Sequence, residues 1–272
     1  MIVVVIVIKI GGDLLKGGKL NEDLINDMKS VKSGENIVVV HGGGDIVTEI
    51  AEKLGKKQVF VTSPEGFKSR YTDRETAAIY AMVMAGKLNK EITVALQSRG
   101  LPALGISGLD GGLLKAERKK KLVIIDERGR KRIIEGGYTG RIISVDTQVL
   151  TPLMEAGFIP VVAPVALGDE YEILNVDGDR AAANIAGALK ANALILLTDV
   201  EGVMVNEVLV KEVHLNDVDS LIRKLGPGMI TKMYAAAEAV RLGASKSIIT
   251  SGLKAAPITS ALAGRTGTFV VP

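Results

Sequence analysis

Short runs of β-branched apolar residues alternate along this chain with longer stretches in which apolar positions recur every three or four residues, a pattern that predicts strands and helices in turn. Strands are expected at 2–9, 37–40, 58–61, 103–106, 159–165, 193–198, 246–249 and 268–271. Helices are expected at 20–32, 44–54, 73–99, 145–157, 178–190, 217–224, 230–243 and 256–263, several of them alanine-rich. Strand followed by helix, repeated, argues for an α/β protein with a largely parallel sheet. No internal repeat or low-complexity stretch interrupts the pattern. A shift in composition near 166–176 marks an expected boundary between a first lobe, 1–170, and a second, 171–272, and two lobes with a cleft suit a two-substrate enzyme.

Composition narrows this picture. A chain of 272 residues can form one large α/β domain or two fused lobes. It is 47% hydrophobic but only 3% aromatic, so its core must be aliphatic, and zero cysteines exclude disulfides and thiolate metal sites. The opening apolar run is too short to span a membrane and lacks a basic leader, so a core strand and a cytoplasmic location are expected. A net charge of +3 is too balanced for general nucleic-acid affinity. The charge is nevertheless uneven. Between Lys115 and Arg141 lie Arg118, Lys119, Lys120, Lys121, Arg128, Arg130, Lys131 and Arg132, opposed by Glu117, Asp126, Glu127 and Glu135. Leu122 to Ile125, a turn at Asp126 to Gly129, and Ile133-Ile134 read as a β-hairpin within this basic segment, 115–142. Such a hairpin is either an ordinary solvated one or a docking surface for an acidic partner.

Candidate chemistry lies where strands end in glycine. The first strand delivers Lys9-Ile10-Gly11-Gly12-Asp13, where glycines permit close backbone approach and the lysine fixes a positive charge; phosphate binding and a plain turn are both open here. The strand 37–40 enters His41-Gly42-Gly43-Gly44-Asp45 at the start of a helix, an arrangement suited to an anion. It is not a dinucleotide fingerprint, which would need glycine at Val47, and residues 12–19 do not space their glycines and lysine as a Walker A loop does. Asn175-Val176-Asp177-Gly178-Asp179 crowds polar residues at a helix start, where either aspartate could simply cap. Thr198-Asp199-Val200-Glu201-Gly202-Val203 breaks a buried strand into an acidic turn. Gly226-Pro227-Gly228 leads to Lys232, a lysine expected in a first helical turn, where an anionic ligand would rationalise it.

In this order, Lys9-Ile10-Gly11-Gly12, His41-Gly42-Gly43-Gly44, Asn175 to Asp179, Thr198 to Val203 and Gly228 to Lys232 resemble the amino acid kinase family across essentially the whole chain. The resemblance implies a three-layer αβα sandwich around a mainly parallel sheet, with an amino-acid substrate in the 1–170 lobe and ATP in the 171–272 lobe. It looks most like N-acetylglutamate kinase and its relatives, which phosphorylate a side-chain carboxylate. By similarity, Lys9 and Lys232 would stabilise the transferring phosphoryl group and Asp179 would hold both. Gly11, Gly12, Asp199, Gly202, Val203 and Met204 would bind the nucleotide; Gly43, Gly44, Arg70 and Asn175 would bind the acceptor, Arg70 on its α-carboxylate and Asn175 on its amide. Mg²⁺ would ride mainly on the ATP phosphates, with no carboxylate cage in the protein.

The stretch Ser69-Arg70-Tyr71-Thr72-Asp73 and the basic hairpin look more like the branch that acts on aminoadipate or glutamate attached through its amino group to the C-terminal glutamate of a small acidic carrier protein, LysW. That resemblance implies acyl phosphate formation in lysine or arginine biosynthesis, with the carrier docking on 115–142, and a homodimer. A plain N-acetylglutamate kinase of arginine biosynthesis is the alternative, and a non-catalytic amino-acid or nucleotide sensor a remote one. Inhibition by arginine is not expected, because relatives with that property carry an extra N-terminal helix and this chain opens on its first strand. His41 is expected to be a hydrogen-bonded loop residue rather than an acid or base, and His214 a surface or packing residue.

Overall fold

The computed structural model describes residues 4–18, 20–64, 66 and 68–272. Eight strands form the central sheet in the order Glu212–His214, Thr268–Val271, Ser247–Ser251, Ala193–Thr198, Val5–Ile10, Asn36–His41, Ile159–Ala163, Ala103–Ser107. All neighbours run parallel except Ser247–Ser251 against Thr268–Val271, which are antiparallel. The mainly parallel sheet is thus present; residues 2 and 3 of the expected first strand lie outside the described set. Four strands from the first part of the chain form one half of the sheet and four from the last part the other. They meet where Ile8 lies opposite Ile195, and the hydrogen-bonded sheet is continuous across that seam.

The central strands are apolar on both faces because both are covered. Val5, Val7, Val38 and Val40 share a core with residues of the helices Gly178–Ala188 and Pro227–Arg241. Ile6, Ile8, Ile10, Ile37 and Val39 share another with Glu22–Lys32, Asn89–Gln97 and Pro257–Leu262. This is the αβα sandwich.

Four expectations are corrected. The 58–61 segment is not a sheet member: Val59–Thr62 turns back through Pro64 and Gly66 and pairs antiparallel with Lys68–Tyr71 as a separate ribbon. The 159–165 strand is two, because Pro164 lacks the N–H that a continuing ladder needs. Only Thr151–Glu155 of the expected 145–157 helix is helical: Val145 ends the strand Gly140–Val145, and the Asp146 side chain accepts from Gln148 N–H at 3.0 Å to make a turn. The last concerns the basic segment. Its inner part is the expected hairpin, Lys121–Ile125 with Lys131–Glu135 and Val123 opposite Ile133. Its flanks, Leu114–Arg118 and Gly140–Val145, instead join Val165–Gly168 and Ile173–Asn175 in a four-stranded second sheet. Leu114 and Ala116 are buried while Lys115 and Glu117 face solvent, so the charged half of the alternation masked a strand. Of the expected 73–99 run, Arg74 to Gln97 is helical, in three parts, Arg74–Ala81, a π-helical Met82–Leu88 and Asn89–Gln97.

Candidate active site

Lys9 stands on the same strand face as Val5 and Val7, four and two residues before it, and therefore under the helix layer that carries Asp179. The helix Gly178–Ala188 begins above the C-terminal end of that strand, capped by Asp177, whose Oδ1 accepts from Arg180 N–H at 2.9 Å. Asp179 falls in its first turn, where the helix dipole favours a carboxylate. Lys9 Nζ lies 2.8 Å from Asp179 Oδ1, and Lys232 Nζ lies 3.1 Å from Oδ2. Lys9 and Asp179 are each only 6% exposed, so one carboxylate bridges two ammonium groups almost out of water.

The charges in this chain are mutually enforced. Burial alone would pull the Lys9 ammonium down; the Asp179 carboxylate, helped by Asp177 and Asp13, outweighs it and holds the group above the ordinary lysine value. Burial alone would raise Asp179; Lys9 and Lys232 override it and hold the carboxyl at about 2. The helix bearing Lys232 starts at Pro227 rather than near 230, so Lys232 sits in the second turn and its charge is answered by Asp179. The counter-charge expected from an anionic ligand comes from Asp179 instead.

Two glycine turns are stitched to the same edge of the sheet. Gly11 N–H donates to Leu197 O at 3.1 Å and Gly42 N–H to Ile10 O at 2.8 Å. A Cβ on Gly12 would stand 3.1 Å from Gly43 N, so the turns touch backbone to backbone. Gly43 has φ of +140°, and a Cβ there would run into Leu88. A cleft of about 450 Å³ results, and Lys9, Gly11, Gly12, Gly43, Gly44, Arg70, Asn175, Asp179 and Lys232 all line it.

Arg70 and Asn175 are held in place on its far wall. Arg70 Nη2 donates to Gly44 O at 2.7 Å and Thr48 Oγ1 at 2.9 Å, Nη1 donates to Gln58 Oε1, and the guanidinium stacks over Phe60 at 4.9 Å. Among the described residues no carboxylate forms an ion pair with it, and burial lowers its pKa from the ordinary arginine value. Asn175 Nδ2 donates to Thr72 Oγ1 at 3.0 Å.

Asp199, Gly202, Val203 and Met204 lie apart from this cleft, the first three in the turn after Ala193–Thr198 and Met204 at the start of the short strand Met204–Val205. Val203 is fully buried; its N–H donates to Thr268 Oγ1 at 2.8 Å and its carbonyl accepts from Val210 N–H at 2.9 Å. Gly202, at φ of +155°, is needed because a Cβ would come within 2.8 Å of the same Thr268 oxygen. Asp199 accepts from Thr198 Oγ1 at 3.1 Å, and Met204 is exposed.

Sequence reasoning missed Tyr80, Met84 and Lys119, which also line the cleft. The first two lie one helical turn apart and read simply as core; Lys119 was hidden in a run of basic residues. His41 is fully buried, with Nδ1 3.0 Å from Gly42 O and Nε2 3.4 Å from Asn89 Nδ2, and burial drives its pKa down to about 4. It is a hydrogen-bonded residue, but it ends the strand Asn36–His41 rather than lying in the expected loop, and burial keeps it neutral. His214 sits at the sheet edge, exposed, with Nδ1 2.9 Å from Pro272 O. Among the described residues no cluster of three or more His, Asp or Glu side chains could hold a metal ion, and no helix is long and apolar enough to cross a membrane.

Comparison with known proteins agrees with the geometry. A protein of Saccharolobus solfataricus named LysW-aminoadipate/LysW-glutamate kinase is 49% identical over 94% of this chain and 96% of its own. One of the same name from Metallosphaera sedula is 48% identical over 96% of this chain and 98% of its own. The solved structure of carbamate kinase from Giardia lamblia bound to AMP-PNP shares the fold, with a TM-score of 0.68 at 18% identity over 99% of both chains. The match to the amino acid kinase family model runs through residues 4–251, from the first described strand to the end of Ser247–Ser251, and the chain belongs to that family.

Proposed function

We propose that this protein transfers the γ-phosphoryl group of ATP to the side-chain carboxylate of aminoadipate or glutamate whose amino group is linked to a LysW-type carrier, giving an acyl phosphate in lysine or arginine biosynthesis. The observation that carries the reading is the buried Lys9–Asp179–Lys232 chain facing a cleft rimmed by two glycine turns, in a protein about half identical to kinases of that name. The acceptor carboxylate is ionised at neutral pH and attacks without a general base, so a neutral, buried His41 is no obstacle. Catalysis then rests on positioning and charge.

Lys9 and Lys232 approach the transferring group from opposite sides, and Asp179 fixes their spacing. Gly11 and Gly12 face the ATP phosphates; Gly43 and Gly44 face the acceptor. Arg70 holds the acceptor α-carboxylate and Asn175 its amide. The turn containing Asp199, Gly202, Val203 and Met204 borders the nucleotide, with Val203 acting as a packing anchor rather than a contact. Bound on the ATP phosphates, Mg²⁺ would add charge neutralisation, and Asp179, committed to two lysines, would not be its ligand.

The basic segment 115–142, with the hairpin Lys121–Ile125 and Lys131–Glu135 at its centre, supports a carrier partner. Part of its charge is internally neutralised, since Asp126 accepts from the backbone N–H groups of Arg128 and Arg130 and pairs with Arg132 Nε at 3.0 Å. Lys119 and Lys121 remain without ion-pair partners among the described residues and face the acidic carrier. We place the enzyme in the cytoplasm as a homodimer built on the first segment, a reading supported by the exposed Met82 and Val94 on its helical run. The test is ATP turnover with hydroxylamine trapping of acyl phosphate on carrier-linked aminoadipate, carrier-linked glutamate and N-acetylglutamate. Preference for either carrier-linked acceptor is the expected result; turnover of N-acetylglutamate alone would make the protein an ordinary acetylglutamate kinase.

A further inference from the structure

A second cavity, of about 410 Å³, opens beside the acceptor cleft, walled by the hairpin and by the helices that carry Asp179 and Lys232. The two share Ser69, Lys119, Leu122, Gly140, Val176 and Asp177 as a common rim. Of the three cations on the second cavity among the described residues, two are already committed. Arg180 Nη2 donates to Glu238 Oε1 at 2.7 Å, and Arg141 Nη2 donates to Glu117 Oε2 at 2.6 Å. Lys119 forms no ion pair with any described carboxylate, and its side chain is accessible to solvent.

The backbone places this lysine next to the amide-holding asparagine. Lys119 N–H donates to Thr139 O at 2.9 Å, and Thr139 bridges to Asn175 in turn. Lys119 and Asn175 thus flank Thr139, the residue before the strand Gly140–Val145, at the rim where, on the carrier reading, the group that blocks the acceptor amino group would leave the cleft.

This inference rests on the carrier reading and deepens it. A glutamate joined through an amide uses one of its two carboxyl groups and keeps the other, which is ionised at neutral pH. An acetyl group presents only a methyl at the same place. We propose that Lys119 is a specificity-determining residue, pairing with the free carboxylate of the linking glutamate just outside the amide and so distinguishing carrier-linked from N-acetyl acceptors.

The test uses two synthetic acceptors, glutamyl-linked aminoadipate with the remaining linker carboxyl either free or converted to the primary amide. Acyl phosphate formation is followed in the wild type, Lys119→Met and Lys119→Arg. The wild type is expected to show a KM about tenfold lower for the free-carboxylate acceptor at similar kcat, the size of a partly solvated charge-assisted hydrogen bond. Lys119→Met should bring the two KM values together, and Lys119→Arg should keep them apart. An unchanged ratio in Lys119→Met, no ratio in the wild type, or an equal rise in KM on both acceptors would each overturn the proposal. Wild-type turnover of N-acetylglutamate but of neither glutamyl-linked acceptor would instead remove the carrier reading on which it stands.

Discussion

At the scale of single residues, the site is built from charges that keep one another ionised. Asp179 shares its two oxygens between Lys9 and Lys232, so Asp179→Asn removes the counter-charge of both and lets each ammonium drift from the phosphoryl position. Turnover should fall about 10²- to 10³-fold, the usual cost of losing one preorganised electrostatic contact, with a smaller change in KM for ATP. Steady-state kinetics of the variant, set against its unfolding curve, check this. Acid should act on the fold in two windows. His41 is held at about 4 against an ordinary 6.5, so the unfolded chain binds its proton first and stability falls as the pH drops from 6.5 towards 4. The full drop from that one ring is about 3 kcal/mol. Asp179, at about 2 against 3.8, contributes stability above its unfolded value that is lost only as the pH falls further, through about 2. Urea unfolding of His41→Gln between pH 7 and 4 should therefore show a flatter pH slope than the wild type; an equal slope would refute the assignment to His41.

At the scale of elements, two devices carry the load. The short helix Pro257–Leu262 has no side-chain cap of its own, and Ala256 before it is left-handed with φ of +47°. Asp27, buried on the helix Glu22–Lys32, reaches across to accept from Ile258 N–H at 2.6 Å and Thr259 N–H at 3.1 Å. Asp27→Ala strands both donors in a buried place and should cost about 2 kcal/mol, measured as a lowered urea midpoint with kcat retained. Asparagine at that position should recover most of the loss, since its side-chain oxygen can still accept. The other device is the hairpin Lys121–Ile125 with Lys131–Glu135, which contributes Leu122, Val123 and Ile124 to the cavity wall yet leaves Ile133 70% exposed. Replacing 122–134 by a short turn should raise KM for a carrier-linked acceptor while leaving the far side of the sheet intact. An unchanged KM would make the hairpin a solvated ornament of the fold.

At the scale of the whole molecule, a net charge of +3 hides a basic segment on one rim of the cleft, and an acidic carrier would be steered to it. The value of kcat/KM on a carrier-linked acceptor should therefore fall as salt rises from about 0.05 to 0.5 M, because the Debye length shrinks below the span of the rim, while a small acceptor should be far less affected. Much of this molecule was legible in one dimension. Uninterrupted β-branched runs such as Val5 to Ile8 specify strands covered on both faces, and glycines directly after them specify the turns that rim the cleft; neither depends on distant residues. Other features were decided only by the tertiary structure. Leu114–Arg118 is a strand because a second sheet exists to bury Leu114 and Ala116, and Val59–Thr62 leaves the main sheet because a turn follows it at once. Asp179, not a ligand, answers the Lys232 charge, and Lys119 differs from Arg141 and Arg180 on the same cavity because those two have found carboxylates on other elements. Local pattern determines which way a side chain faces along its own element; which charge it meets there depends on chain brought back from elsewhere in the sequence, 53 residues away for Lys232 and Asp179, and only packing settles that.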